Sequence, residues 1–455
     1  MMGREKVFSI LRRALRALEK AGAEAGHVRF YGLSGNLTRF ADNHIHQNVA
    51  EKDARLLLTA IKGYRLGAAG TNRLDRDGVG QAAEKAAAIT GMAAEDPEFP
   101  GLADPAEAQS AAEVPGACDP RTAALSPGAR AKLVASATRY AAERHAIASG
   151  KVASGAVETG VANSLGVLQY ASASTFSAAC TAMIQGAAGS EEWSAGLVAR
   201  LDASLAAFGK EAVDTALAGC RPRREEPGEW TVILAPRAVS TLIGFLVYLG
   251  FDSTAHLENR SFLAGRMGTK VASEKVTIVD DGLSSDASPL PFDLDGVPRR
   301  PLTLIERGVA KELPHSLRTA KKAGAKSTGH SFGPQAGGVI PMHVLMAPGD
   351  ATLEEMVAST KRGLLVNRFW YTNVAEPSRA VITGMTRDGL FLVEKGRLKG
   401  PVCNMRFTES ITDALSKVEM VGSELKRLGD DWSTGAIRVP ALKLSSFRFT
   451  GVTEF

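Results

Sequence analysis

The chain is poor in the residue groupings that most often announce a chemistry. Its four cysteines, Cys118, Cys180, Cys220 and Cys403, lie far apart, and no CxxC pair occurs. That spacing excludes a disulfide framework and a zinc ribbon, and it predicts free thiols in a reducing compartment. Long apolar runs are also missing. The longest apolar patch, 239–251, is too short to span a bilayer. The first helical stretch is interrupted by Arg12, Arg13, Arg16, Glu19 and Lys20, so it has no signal-peptide core. A cytoplasmic protein with no membrane partner is expected. Blocks of like charge are absent too. The 54 basic and 49 acidic residues are interspersed, and the run Arg221-Pro222-Arg223-Arg224 is neutralised at once by Glu225 and Glu226. No nucleic-acid partner is expected from such a pattern.

What is present is enough apolar sequence to fold most of a 455-residue chain, with a hydrophobic fraction of 45%. That length predicts more than one domain. Val7, Ile10, Leu11, Leu15 and Leu18 recur at helical spacing, so 3–25 reads as a helix. From His27 the period becomes two. Strands are expected at 28–31, 37–40, 45–50, 55–61 and 66–70, with turns at Ser34-Gly35-Asn36 and Asp42-Asn43. Asp75 or Asp77 should cap a helix over 78–91. Residues 95–127 read as a linker, 128–147 and 202–219 as helices, and 150–200 as successive strands of small residues.

The segment 221–228 reads as a domain boundary. Beyond it, a strand at 230–234 leads into an apolar helix at 238–249. Strands follow at 276–280, 302–306 and 309–313, then a helix at 315–323 and a glycine-rich loop over 324–338. A strand at 339–346, a helix at 353–359, and strands at 364–371, 379–386, 389–394 and 397–402 come next. A helix at 409–417 and strands near 437–449 close the chain. The class expected is α+β, with an N-terminal domain at 1–222 and a strand-rich C-terminal domain at 229–455.

Candidate chemistry is sparse. None of the eight histidines forms an HExxH or HxxxH pair. His44 and His46 face one side of a strand but have no third ligand near in sequence. Asp280-Asp281-Gly282 and Asp293-x-Asp295-Gly296 look like pieces of a calcium loop but lack its distal glutamate, so they read as tight turns. The glycine-rich loop has no Lys-Ser/Thr behind it and is no phosphate loop. His330 and Ser327 of that loop are candidate substrate or partner contacts. In Arg368-Phe369-Trp370-Tyr371 the strand period puts Phe369 and Tyr371 on one face. Arg368 and Trp370 take the other, as candidate contacts at an interface edge.

Several separated segments carry a resemblance. They are Leu37-Thr38-Arg39-Phe40-Ala41-Asp42-Asn43-His44, Gly63-Tyr64-Arg65-Leu66-Gly67, Val232-Ile233-Leu234-Ala235-Pro236, Val276-Thr277-Ile278-Val279-Asp280-Asp281-Gly282, Ser327-Thr328-Gly329-His330 and Arg362-Gly363-Leu364-Leu365-Val366. Together, and in this order, they resemble the TldD/PmbA metallopeptidase family, and its PmbA (TldE) branch in particular. The resemblance implies a heterodimer of a zinc-bearing peptidase subunit and a related metal-free subunit, acting on unfolded peptides or on precursors of modified peptides. It also implies a zinc site on a helix carrying His-Glu-x-x-x-His, aided by a C-terminal cysteine.

Here the chain departs. The positions that should be ligand, base and ligand are Gly244, Phe245 and Leu249. None can donate a lone pair to a metal or carry a proton. The stretch 431–437 supplies no cysteine. The expectation is a non-catalytic subunit with no metal and no cofactor, paired with a TldD-like zinc peptidase subunit or with itself. Its exposed strand edges would accept an extended peptide. Two alternatives stand beside it. One is a stand-alone or homodimeric hydrolase whose polar groups, such as His330, Glu354 and Asp280, converge from distant segments. The other is a regulator of DNA gyrase or of a toxin–antitoxin pair, which would bind DNA in a salt-sensitive way.

Overall fold

The structure is a computed structural model. It describes residues 1–453 except 109–110, 112–113, 197–204, 285–289, 337, 340 and 430–434. Helix α1 (Arg4–Lys20) forms where the apolar spacing predicts it, and Val7, Ile10, Leu11, Ala14 and Leu18 are buried along one stripe. Strands β1 (Ala25–Ala41) and β2 (His44–Lys62) meet at Asp42 and Asn43. Both turn residues have positive φ, 49° and 63°. Asp and Asn tolerate that conformation in tight hairpins.

The expected turn at Ser34-Gly35-Asn36 does not exist. β1 pairs residue by residue with β2 and β4 straight through it. The small residues serve close approach instead: a Cβ on Gly155, opposite Gly35, would lie 2.5 Å from the Ser34 carbonyl. Likewise 45–50 and 55–61 are one strand. With β3 (Arg65–Thr71), β4 (Ile147–Asn163), β5 (Leu168–Ile184) and β6 (Ala187–Ala195), an antiparallel sheet of order β3-β2-β1-β4-β5-β6 results.

Helix α2 (Arg76–Met92) starts at Asp75, whose carboxylate accepts from the Gly78 amide. A short helix α3 (Pro120–Ala123) interrupts the expected linker, and α4 (Pro127–Ala142) follows. Of the helix expected at 202–219, residues 202–204 lie outside the described residues. The described part is α5 (Lys210–Ala218). The strand period decides which face these helices cover. Val28, Phe30, Phe40, Leu56, Leu58 and Phe176 point toward them and are buried. Arg29, Tyr31, Asp53, Arg55, Thr159 and Thr175 point the other way, into a cavity.

The remaining strands are β7 (Gly228–Leu234), β8 (Ile278–Asp280), β9 (Leu302–Glu306), β10 (Val309–Ala310), β11 (His343–Met346), β12 (Arg362–Glu376), β13 (Val381–Glu394), β14 (Arg397–Pro401), β15 (Met405–Ser410), β16 (Val418–Val421), β17 (Lys426–Gly429), β18 (Ala436–Val439) and β19 (Leu442–Val452). One sheet has the order β10-β9-β8-β11-β18-β17; the other runs β12-β7-β19-β15-β13-β14. The second closes on itself, because β12 also pairs with β13. Phe369, Phe407, Phe447 and Phe449 fill the ring at 4.5–5.5 Å between neighbouring centroids. Between the sheets lies α6 (Pro236–Gly250), whose Ala238, Val239, Leu242, Ile243 and Leu246 are fully buried. Helices with many strands make the α+β class expected from the sequence.

Candidate functional site

The bare face of the first sheet and the α6–β12 side of the second half enclose a cavity of about 2340 Å³. Helical spacing selects what α6 shows to it. Arg237, Ser240, Thr241, Gly244, Phe245 and Tyr248 recur at three- and four-residue steps and line the wall. Leu249 does not; it turns into the core with 8% of its surface exposed. So two of the three positions singled out on this helix reach the cavity, and the third does not. Gly244 is open there. A Cβ built on it would meet only Ile437 Cδ1, at 3.5 Å.

Arg368 and Trp370, the candidate contacts on this strand, both line the cavity. The guanidinium of Arg368 stacks on the Trp370 ring at 4.5 Å, and Arg387 lies 5.3 Å from the same ring. Arg368 Nη1 is 3.2 Å from Asp388 Oδ2. Burial pulls the Arg368 pKa down and the Asp388 carboxylate opposes that. The expected alternation fails one residue later. Phe369 is buried, but Tyr371 is 73% exposed rather than packed beside it. Tyr371 has φ 52°, and the β12–β13 register slips between Trp370 and Asn373. A left-handed residue breaks the period of two and turns the ring out. A second slip lies at Val366/Arg368, opposite Asp388 and Gly389, both at positive φ. What reads as two strands, 379–386 and 389–394, is therefore one kinked strand.

That kink aims Asp388 at the other half of the molecule. The Ser190 hydroxyl of β6 donates to Asp388 and accepts from Arg237 Nη1 at 2.6 Å. Arg237 Nη1 also donates to the Ser190 carbonyl at 2.7 Å. A buried polar chain thus ties α6, β6, β12 and β13 together. Sequence reasoning missed Ser190, Arg237 and Asp388. The only local signal was Asp-Gly at 388–389, which reads as an ordinary turn.

His330 is not a surface contact. It is 1% exposed, with Nε2 2.8 Å from Asp280 Oδ2 and Nδ1 2.9 Å from Thr328 Oγ1. Burial lowers the His330 pKa, so a neutral ring donates its Nε2–H to the carboxylate. Burial pushes Asp280 up, but the His330 hydrogen bond and the nearby Arg299 charge hold it below the usual carboxylate range. The other Asp280 oxygen accepts from the His343 amide at 2.6 Å. These contacts fasten the end of β8 to the glycine-rich loop. Ser327 hydrogen-bonds the His315 carbonyl at 3.1 Å and is not in the cavity wall. Glu354 is exposed on its own helix. Only Asp280 and His330 of the alternative trio come together, and they are sealed from solvent. Asp293 does make the expected turn, accepting from the Asp295 and Val297 amides. The turn is buried, and burial pushes both aspartates up.

Residues 227–451 match the family described as PmbA/TldA metallopeptidase C-terminal domain, and 28–90 match PmbA/TldA metallopeptidase domain 1. The chain belongs to the TldD/PmbA family. It is 26% identical over 224 residues to a metalloprotease TldD homolog of Buchnera aphidicola, covering 48% of this chain and 46% of that protein. The chain spans about half the length of the curated relatives it matches. Solved structures extend the likeness of fold. A Bacteroides thetaiotaomicron protein described as a modulator of DNA gyrase superposes with TM-score 0.83 at 21% identity, over 99% of this chain and 100% of that one. TldE of Thermococcus kodakarensis gives 0.82 at 21%, over 97% and 100%.

The family's metallopeptidase description implies a metal, and the cavity wall does not suit one. Gly244 and Phe245 offer no donor atom, and Leu249 faces the core. Among the described residues, no three His, Cys, Asp or Glu side chains are grouped to hold a metal ion. Residues 431–434, part of the cysteine-free stretch, lie outside the described residues. Open space at Gly244, not crowding, separates this wall from a ligand set.

Proposed function

We propose that the chain is the TldE/PmbA-like, non-catalytic subunit of a cytoplasmic TldD-type zinc peptidase complex that degrades or trims unfolded peptides. In this reading residues 1–222 and 229–455 are two domains, and the cavity between them receives an extended chain. One observation carries it. The α6 face that looks into the cavity has glycine and phenylalanine where a peptidase of this family would need a metal ligand and a proton carrier. The fold is retained around that wall, which lines a cavity of about 2340 Å³. Such a subunit keeps the shape that guides a peptide and leaves bond cleavage to its partner.

The test is to purify the chain alone and together with a zinc-bearing TldD homologue, then measure bound zinc and cleavage of an unstructured peptide. The chain alone should hold no stoichiometric zinc and cleave nothing, while the mixture cleaves. Stoichiometric zinc with cleavage by the chain alone would favour a stand-alone hydrolase instead.

A further inference from the structure

We propose that Arg368, Trp370 and Tyr371 form a carboxylate-binding platform in the cavity, reading acidic side chains or the free C-terminus of an extended peptide. The inference rests on the cavity being a peptide chamber and adds what it selects.

Three observations support it. The first is exposure: Trp370 is 43% and Tyr371 73% exposed, and both line the cavity beside Arg368. Large rings left open in a wall are unusual unless something covers them. The second is backbone geometry. Tyr371 holds a left-handed conformation that an aromatic residue adopts only under constraint, and the register slips there turn its ring outward. A strained residue retained at a cavity wall points to a use for the side chain it presents.

The third observation is charge. Arg368 and Arg387 flank the Trp370 ring, and both lean on one carboxylate, Asp388, at 3.2 and 3.7 Å. Two guanidiniums against one carboxylate leave a single positive charge. Elsewhere in the lining, Arg55 pairs with Asp53, Arg29 faces the charge of Asp295, Arg299 faces Asp280 and Asp293, and Arg237 donates to Ser190. One surplus charge beside stacked rings suits one carboxylate on a flexible chain, held by charge-assisted hydrogen bonds. A nucleic-acid backbone, with a phosphate at every step, would call for a row of unneutralised cations.

The test uses the full chain and fluorescence anisotropy. A labelled, unstructured peptide with alternating glutamates is compared with its glutamine counterpart, the latter with a free and with an amidated C-terminus. The glutamate peptide should bind about tenfold more tightly than the amidated glutamine peptide. Preference for the free over the amidated glutamine peptide assigns the terminus as a second source. Arg368→Gln should erase the preference, and Arg368→Lys should restore most of it if the fold is intact. Tyr371→Gly should weaken peptide binding without lowering the melting temperature, which a merely structural residue would not do. Equal affinity for the glutamate and amidated glutamine peptides, a preference unchanged in Arg368→Gln, or tighter binding of a single-stranded oligonucleotide would each overturn the proposal. Failure of the partner-subunit reading is seen separately, as a mixture with the zinc homologue that cleaves no peptide.

Discussion

The two walls of the cavity are built on opposite plans. The first sheet keeps its register over long ladders: β1 pairs with β4 from His27 to Phe40 without a slip, and β4 with β5 from Ile147 to Ala162. The facing hairpin β12–β13 slips three times in fifteen residues of β12. The regular wall buries its large apolar residues on one face and leaves a mixed face on the other, where Arg29, Asp53, Arg55 and Thr159 alternate with Leu33, Leu57 and Val157. The broken wall aims particular groups, Asp388 inward and Tyr371 outward. Regularity gives rigidity here, and interruption gives address.

The comparison is broken most severely by emptying the regular wall. Phe30→Ala removes a fully buried ring packed under α1 and should cost about 3–5 kcal/mol in urea unfolding. Gly155→Ala attacks the same ladder from the backbone. Its Cβ would sit 2.5 Å from the Ser34 carbonyl, so the strands must part, and a loss of about 1–3 kcal/mol is expected.

A third change sharpens the comparison through pH. His27, on β1, is buried and its pKa is lowered to about 3, mainly by burial and then by the Arg29 charge. Below pH 6.5 the unfolded chain takes up a proton that the folded chain refuses. Stability tied to this ring is therefore complete above pH 6.5 and falls toward pH 3, by at most about 1.4 kcal/mol per pH unit. His27→Leu should flatten the stability profile over that window relative to the parent. The smallest effect is on the broken wall. Tyr371→Gly relieves a left-handed aromatic, about 1–2 kcal/mol, but adds glycine entropy of about 0.5–1 kcal/mol. A net gain near 0.5 kcal/mol is expected, opposite in sign to the glycine exchange in the regular wall. Thermal melts of the two variants side by side check this.

The same contrast explains what could be read from sequence. Period-two patterning found strand along β1 to β5 of the first sheet, because their ladder obeys that period, but not along β6 (Ala187–Ala195). It also broke β2 between 50 and 55, and β1 at Ser34-Gly35-Asn36, which is turn-like in composition yet continues the strand, a choice made by partners on both sides. On the broken wall the period misled: it packed Tyr371 beside Phe369 and split β13 at Asp388. That Arg368 and Trp370 lie together on one face was legible, because alternate strand residues point the same way. Ser190, Arg237 and Asp388 were not, since their link joins positions nearly two hundred residues apart. His330 looked mobile inside a glycine-rich loop, whereas Gly329 sits 2.3 Å, measured from an added Cβ, from the Pro298 carbonyl. Those glycines permit tight packing rather than motion.

The Ser190–Asp388–Arg237 knot has one more consequence. It joins the two walls through one buried carboxylate, so parting them there strips that charge of its hydroxyl partner. Opening the passage at this point costs the hydroxyl bond to a carboxylate that is 4% exposed.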